Sequence, residues 1–125
     1  MDKILFVTLG GALGATFRYL LSTYLVNYFS NNHFISFITP IFIINGLGCF
    51  IAGIIFSLIN EENLKLFLLV GILGGFTTFS SFGLEFLQIA KEKNLILAFV
   101  YVVSTNIFAI ISVYIGYQCM QFTNT

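Results

Sequence analysis

Residues 71–82 read Gly-Ile-Leu-Gly-Gly-Phe-Thr-Thr-Phe-Ser-Ser-Phe, in the middle of an apolar run, 64–90, long enough to cross a bilayer. Two adjacent glycines and four hydroxyl residues are poor material for a plain lipid-facing helix. In hydrocarbon, backbone polar groups need internal partners, so non-helical backbone is tolerated only where protein covers it or where it lines a water-filled cavity. A membrane segment interrupted at its centre is also a sequence pointer to an ion or substrate site. The stretch therefore predicts a third helix broken at mid-membrane, with Leu64–Leu73 and Phe79–Ala90 as its two halves. Thr77 and Thr78 stand where their hydroxyls can cap the first amides of the second half.

The rest of the chain supports the membrane reading. Of its 125 residues 58% are hydrophobic and 8% charged, against about 25% charged in a soluble domain. Four apolar runs, 4–26, 35–59, 64–90 and 95–117, each meet the ~20-residue requirement of a spanning helix. The connections 27–34, 60–63 and 91–94 are short and leave no room for a soluble domain. The expected fold is an all-α integral membrane protein, one domain over 1–125 with four transmembrane helices, multi-pass in the cell (plasma) membrane. The first run is not a cleaved signal peptide, whose apolar region spans only ~7–15 residues; here the pattern continues past Arg18-Tyr19. Cys49 and Cys119 fall within or beside spans and read as small packing residues, and the loop histidine His33 carries no role. No acid–base pair, activated nucleophile, metal-ligand cluster or phosphate loop is present, so no enzyme is expected. The expected surroundings are lipid, with no nucleic-acid partner.

Charge does not set the orientation. With four spans, Lys3 and Lys65 fall on one side and Lys91 and Lys93 on the other, while Arg18 lies inside the first span; the positive-inside rule assigns no direction. Two readings stay open: a weak signal in a small protein, or insertion in both orientations to give antiparallel dimers. Four short helices are too few to enclose a pore and also pack a core, so a homo-oligomer is expected, and two-fold dimers are the commonest kind.

Several side chains stand out along the spans. Gly10 and Gly14 form a small-xxx-small pattern that lets backbones approach in lipid. Arg18 is costly in hydrocarbon unless paired or snorkelling; a tether, an interface anchor and a vestibule charge are all open. Glu85 could accept a bond from Arg18. Asn45, the amide of the second span, is either an interhelical hydrogen bond or a donor to a permeating anion through its NH2 group. Phe79 and Phe82, three apart, share a helix face. They are either ordinary packing or a pair whose positive ring edges, with Asn45, Ser80 and threonine hydroxyls, pass a small anion without trapping it. Carbonyls freed at the break could hold a cation. Tyr101 and Thr105, four apart on the last span, share a face, although single hydroxyls in such helices commonly bond their own backbone.

Over nearly its whole length the chain resembles the Fluc (CrcB-type) small fluoride channels of microbes. The resemblance rests on Gly10-Gly11-Ala12-Leu13-Gly14-Ala15-Thr16-Phe17-Arg18-Tyr19, on Asn45-Gly46-Leu47-Gly48, and above all on Gly74-Gly75-Phe76-Thr77-Thr78-Phe79-Ser80-Ser81-Phe82. It implies a dual-topology antiparallel homodimer with two fluoride pathways lined by Asn45, Phe79 and Phe82. It further implies a central structural sodium ion, not transported, on the main-chain carbonyls of Gly74 and Thr77, and a polar track through Tyr101 and Thr105. The next step of that track is Ala109, which has no hydroxyl. The family's vestibule arginine corresponds to Arg18. The implied role is passive exit of fluoride from the cytoplasm, which lowers fluoride toxicity. A small multidrug-type proton-coupled exporter is the alternative, but it needs a carboxylate in the first span, where none stands. One subunit of a heterodimeric fluoride channel is another alternative; the intact motifs favour a self-sufficient chain.

Overall fold

The computed structural model describes residues 2–31 and 38–123, and these are helical apart from short connections. Four segments are long and apolar enough to cross a membrane: Lys3–Ser30, Pro40–Leu58, Glu62–Glu92 and Leu95–Phe122. The described residues form no element other than helix, and the four spans make the chain a multi-pass membrane protein. Helix α1 is Asp2–Asn31 and α2 is Pro40–Leu58. The third segment comprises α3 (Glu62–Lys65), a π-helical stretch (Leu66–Leu73), α4 (Gly74–Phe76) and α5 (Phe79–Glu92), and α6 is Leu95–Thr123.

The helix ends depart from the hydropathy limits for local reasons. Residues 32–37, with His33 and the expected second-span start at Ile35, lie outside the described residues. Ile38 and Thr39 are not helical, and α2 begins at Pro40. The Thr39 hydroxyl accepts from Phe42 N at 3.1 Å, and Pro40 occupies the first helical position, where an N–H is not needed. Helix α3 starts before the expected Leu64 because the Glu61 carboxylate caps it, accepting from Asn63 N at 3.0 Å and Leu64 N at 2.7 Å. Helix α1 continues past residue 26, and α6 past 117. At 1.5 Å per residue, thirty residues measure roughly 45 Å against an about 30 Å hydrocarbon core, so the end turns of α1 can carry Asn27 and Ser30 beyond the apolar layer.

Packing follows the small residues. Helix α1 lies along the π stretch and α4, α2 along α6, and α5 folds back on α6. A Cβ on Gly14 would sit 1.9 Å from Ile72 O, and one on Gly10 2.5 Å from Phe67 O. The close-approach reading of these two glycines is therefore what the fold uses. Gly53 and Gly116 serve the α2–α6 seam in the same way, each with an added Cβ 2.1 Å from a carbonyl oxygen, of Val113 and Phe50 respectively. Ile44 and Tyr101 are completely buried, with Ile41, Phe76 and Phe82 in the same core. At the other end Lys3 Nζ meets Glu62 Oε1 at 2.6 Å and fastens the start of α1 to that of α3.

Candidate ion-binding groove

Helical geometry lapses at two residues of the third segment. Thr77 has φ −78°, ψ 154° and Thr78 φ −149°, ψ 128°, both extended, before α5 starts at Phe79. Thr77 still hangs on the preceding turn: its N–H and its hydroxyl both donate to Leu73 O, at 2.9 and 2.8 Å. Thr78 does not. Its N–H donates to Asn45 Oδ1 at 2.9 Å, and its carbonyl accepts from Asn45 Nδ2 at 3.0 Å. One side-chain amide thus satisfies both backbone groups of a buried residue. Thr78 Oγ1 accepts from Ser81 N at 3.2 Å and caps α5. This is the hydroxyl cap expected of Thr78, whereas the Thr77 hydroxyl turns back.

These diversions release two carbonyls. In a continuous helix Thr78 N–H would donate to Gly74 O and Ser81 N–H to Thr77 O. The first donor goes to Asn45 and the second to the Thr78 hydroxyl. Gly74 and Thr77 therefore lose their helical donors while both border the same open groove.

That groove measures ≈ 360 Å³ and is bordered by Asn45, Cys49, Gly74, Thr77, Thr78, Phe79, Phe82, Thr105, Asn106 and Ala109. The Phe79 ring is 80% exposed, Phe82 is buried, and their centroids lie 5.2 Å apart at a 36° tilt. Phe82 in turn leans on Tyr101, 5.3 Å away. The polar side chains divide by what they have left to offer. Thr77 and Thr105 spend their hydroxyl protons on carbonyls of their own helices, Thr105 on Tyr101 O at 2.6 Å. Asn45 has its Oδ1 and one Nδ2 proton engaged with Thr78, which leaves one amide proton. Among the described residues no carboxylate borders the groove.

The sequence-derived residues therefore separate into groups. Asn45, Phe79, Phe82, Thr105, Gly74 and Thr77 share the groove. Ser80 is exposed next to it, its hydroxyl 3.1 Å from that of Thr78, but it does not line it. Tyr101 is completely buried behind Phe82, and its OH donates to Glu85 Oε2 at 2.7 Å. The Thr39 hydroxyl donates to the same oxygen. This corrects the expected Arg18–Glu85 pair: two hydroxyls serve the carboxylate, and Arg18, half-buried on α1, makes no ion pair or hydrogen bond among the described residues. The reason is topological, since α1 packs chiefly on the π stretch and α4 while the α5–α6 hairpin sets Tyr101 beside Glu85. Glu85 borders a second pocket of ≈ 350 Å³ with Ser22, Thr39, Gln88, Glu92 and Lys93. Sequence reasoning missed Thr39, although a threonine before a proline is a helix-start signal, and it assigned nothing to Asn106.

The sequence model of the CrcB-like protein family, camphor resistance (CrcB), matches residues 5–117. The chain is similar to proteins named fluoride-specific ion channel FluC. That of Methylobacillus flagellatus is 32% identical over 98% of both chains. That of Helicobacter acinonychis is 38% identical over 90% of this chain and 91% of its own, and that of Azobacteroides pseudotrichonymphae 36% identical over 98% of both.

Proposed function

This chain belongs to the CrcB-like protein family, and from that premise we propose that it is a fluoride-selective channel of the plasma membrane. It lets fluoride leave the cytoplasm passively and so lowers fluoride toxicity. The names of its relatives support the substrate. The observation that carries the reading is the groove beside Thr77–Thr78. It combines a free amide proton of Asn45 with the Phe79 and Phe82 rings and, among the described residues, holds no carboxylate. Donors and ring edges attract an anion weakly enough to release it, and a carboxylate there would repel it. Phe79, Phe82, Asn45 and Thr105 form the pathway, with Ser80 beside its mouth and Tyr101 behind Phe82 as its continuation. The interior-negative potential supplies about 2.3 kcal/mol per charge per 100 mV, so outward flow of an anion needs no ATP site or coupling acid.

The working unit is an antiparallel dual-topology homodimer, the third helix of each single four-helix domain being broken at mid-membrane. The exposed Phe79 and the open side of the groove favour a covering twin subunit. A structural sodium ion, not transported, suits the carbonyls of Gly74 and Thr77, because both have lost their helical donors and a hard cation prefers oxygen ligands. Bound there, the ion would supply positive charge beside the extended residues Thr77 and Thr78. Arg18 stands as a vestibule or structural charge, and Glu85 as a structural acceptor for Thr39 and Tyr101.

The test is efflux from liposomes containing only this protein. Fluoride leaves and chloride stays under the same voltage. Absence of fluoride flux, or proton-coupled flux of organic cations instead, rejects the reading.

A further inference from the structure

Asn106 borders the same groove as Asn45 but from α6, and its side chain is only partly satisfied. Nδ2 donates one proton to Val102 O at 2.7 Å, and neither the second proton nor Oδ1 has a partner among the described residues. The residue is exposed within a helix whose neighbouring outward positions, Val103, Ile107 and Ile110, are apolar. An amide left half-bonded in hydrocarbon is costly, so Asn106 calls for a polar occupant in the groove. The surroundings choose the sign of that occupant. Thr77 and Thr105 have no proton to give, and among the described residues no carboxylate lines the space. The amide protons left over are one on Asn45 and one on Asn106.

We propose that Asn106 is a second anion-contacting residue of the pathway: its free amide proton acts with that of Asn45 to hold the passing halide. This rests on the fluoride-channel reading and adds a specificity-determining residue to it. A small anion sheds a tighter hydration shell on entering the groove, and an amide donor, whose attraction rises as the donor–anion distance shortens, replaces part of what is lost. Asn106 therefore favours fluoride over chloride as well as speeding its passage.

The experiment compares wild type with Asn106→Leu, Asn106→Asp and Asn106→Gln in liposomes, reading fluoride flux per folded protein and the fluoride/chloride ratio. A hydrogen bond to a charged partner corresponds to about tenfold or more, so Asn106→Leu lowers fluoride flux by about that factor. Asn106→Asp lowers it further, and Asn106→Gln, which keeps the NH2, restores most of it. Where the Leu variant does not assemble, the Gln and Asp variants carry the comparison: Gln keeps the amide donors, whereas Asp removes them and adds a negative charge. Equal flux and equal selectivity in all four overturn the proposal. So does a defect confined to dimer stability with normal flux per assembled channel, which places the amide against the other copy. A wild type without fluoride flux rejects the channel reading itself and is recognised before any variant is compared.

Discussion

Replacing Asn45 by alanine removes both partners of one buried residue at once. In the wild type the Thr78 N–H and C=O are held at 2.9 and 3.0 Å by opposite ends of the Asn45 amide, and Thr78 itself is 7% exposed. The O and N positions of that amide follow from the pairing, since only an acceptor can face the N–H and only a donor the carbonyl. A buried polar group left without a partner costs about 1–3 kcal/mol. Two such groups give roughly 2–6 kcal/mol. Thr78 borders the groove, where water can relieve part of the loss, so the lower half, about 2–4 kcal/mol, is expected. The measurement is equilibrium unfolding in detergent micelles, together with hydrogen exchange at Thr78 and Ser81. The extended pair loses its hydrogen bonds to α2, so the Thr78 amide exchanges faster even before global unfolding. Asn45→Asp is the sharper control: it keeps an acceptor for the N–H but sets a second oxygen against the Thr78 carbonyl, and is at least as destabilising. Should Asn45→Ala lose under about 0.5 kcal/mol with the Thr78 amide still protected, the clamp is not what holds this segment.

Two further outcomes follow from the packing. Gly14→Ala places a methyl 1.9 Å from Ile72 O, a backbone atom that no rotamer change can move aside, whereas Gly11→Ala meets nothing within 4 Å. The first destabilises by about 3 kcal/mol or more, and the second stays within about 1 kcal/mol of wild type in the same unfolding assay. In double-mutant cycles Glu85→Gln and Tyr101→Phe show coupling of about 0.5 kcal/mol or more, because the two side chains share a 2.7 Å bond. Glu85→Gln and Arg18→Met are additive, because no bond joins them; coupling of that second pair would restore the ion pair that the geometry denies.

What the sequence disclosed depended on whether the deciding interaction was local. The four spans follow from hydropathy, and the close approach at Gly10 and Gly14 follows from spacing on one helix. The π-helical stretch Leu66–Leu73 was not legible, because it reads as an ordinary apolar run and no residue type marks it. The partner of Glu85 was misread because charge was matched to charge. A hairpin argument finds the right residue: Glu85 and Tyr101 each lie eight positions from Lys93 at the α5–α6 turn, so folding α6 back on α5 sets them at one level. The Asn45–Thr78 clamp spans 33 residues, and Asn45 was reached only as a choice between a helix-to-helix bond and an anion donor. The geometry makes the bond with two of its groups and leaves one proton over, so the two readings are not exclusive.

That leftover proton explains why one asparagine connects the backbone to the proposed conduction path. A hydroxyl at position 45 could not accept from Thr78 N–H, donate to Thr78 C=O and still keep a donor, because it carries a single proton. A carboxylate could accept but not donate, and would add negative charge to an anion path. A primary amide has the acceptor and two protons needed to do all three. Diverting Thr78 N–H to Asn45 also strips Gly74 O of its helical donor, so in the proposed channel the residue that offers a proton to fluoride also frees a carbonyl for sodium. In that reading the two proposed ion sites are linked through a single side chain. Loss of Asn45 should weaken sodium retention together with fluoride flux, whereas loss of Phe79, which bonds neither carbonyl, should affect flux alone.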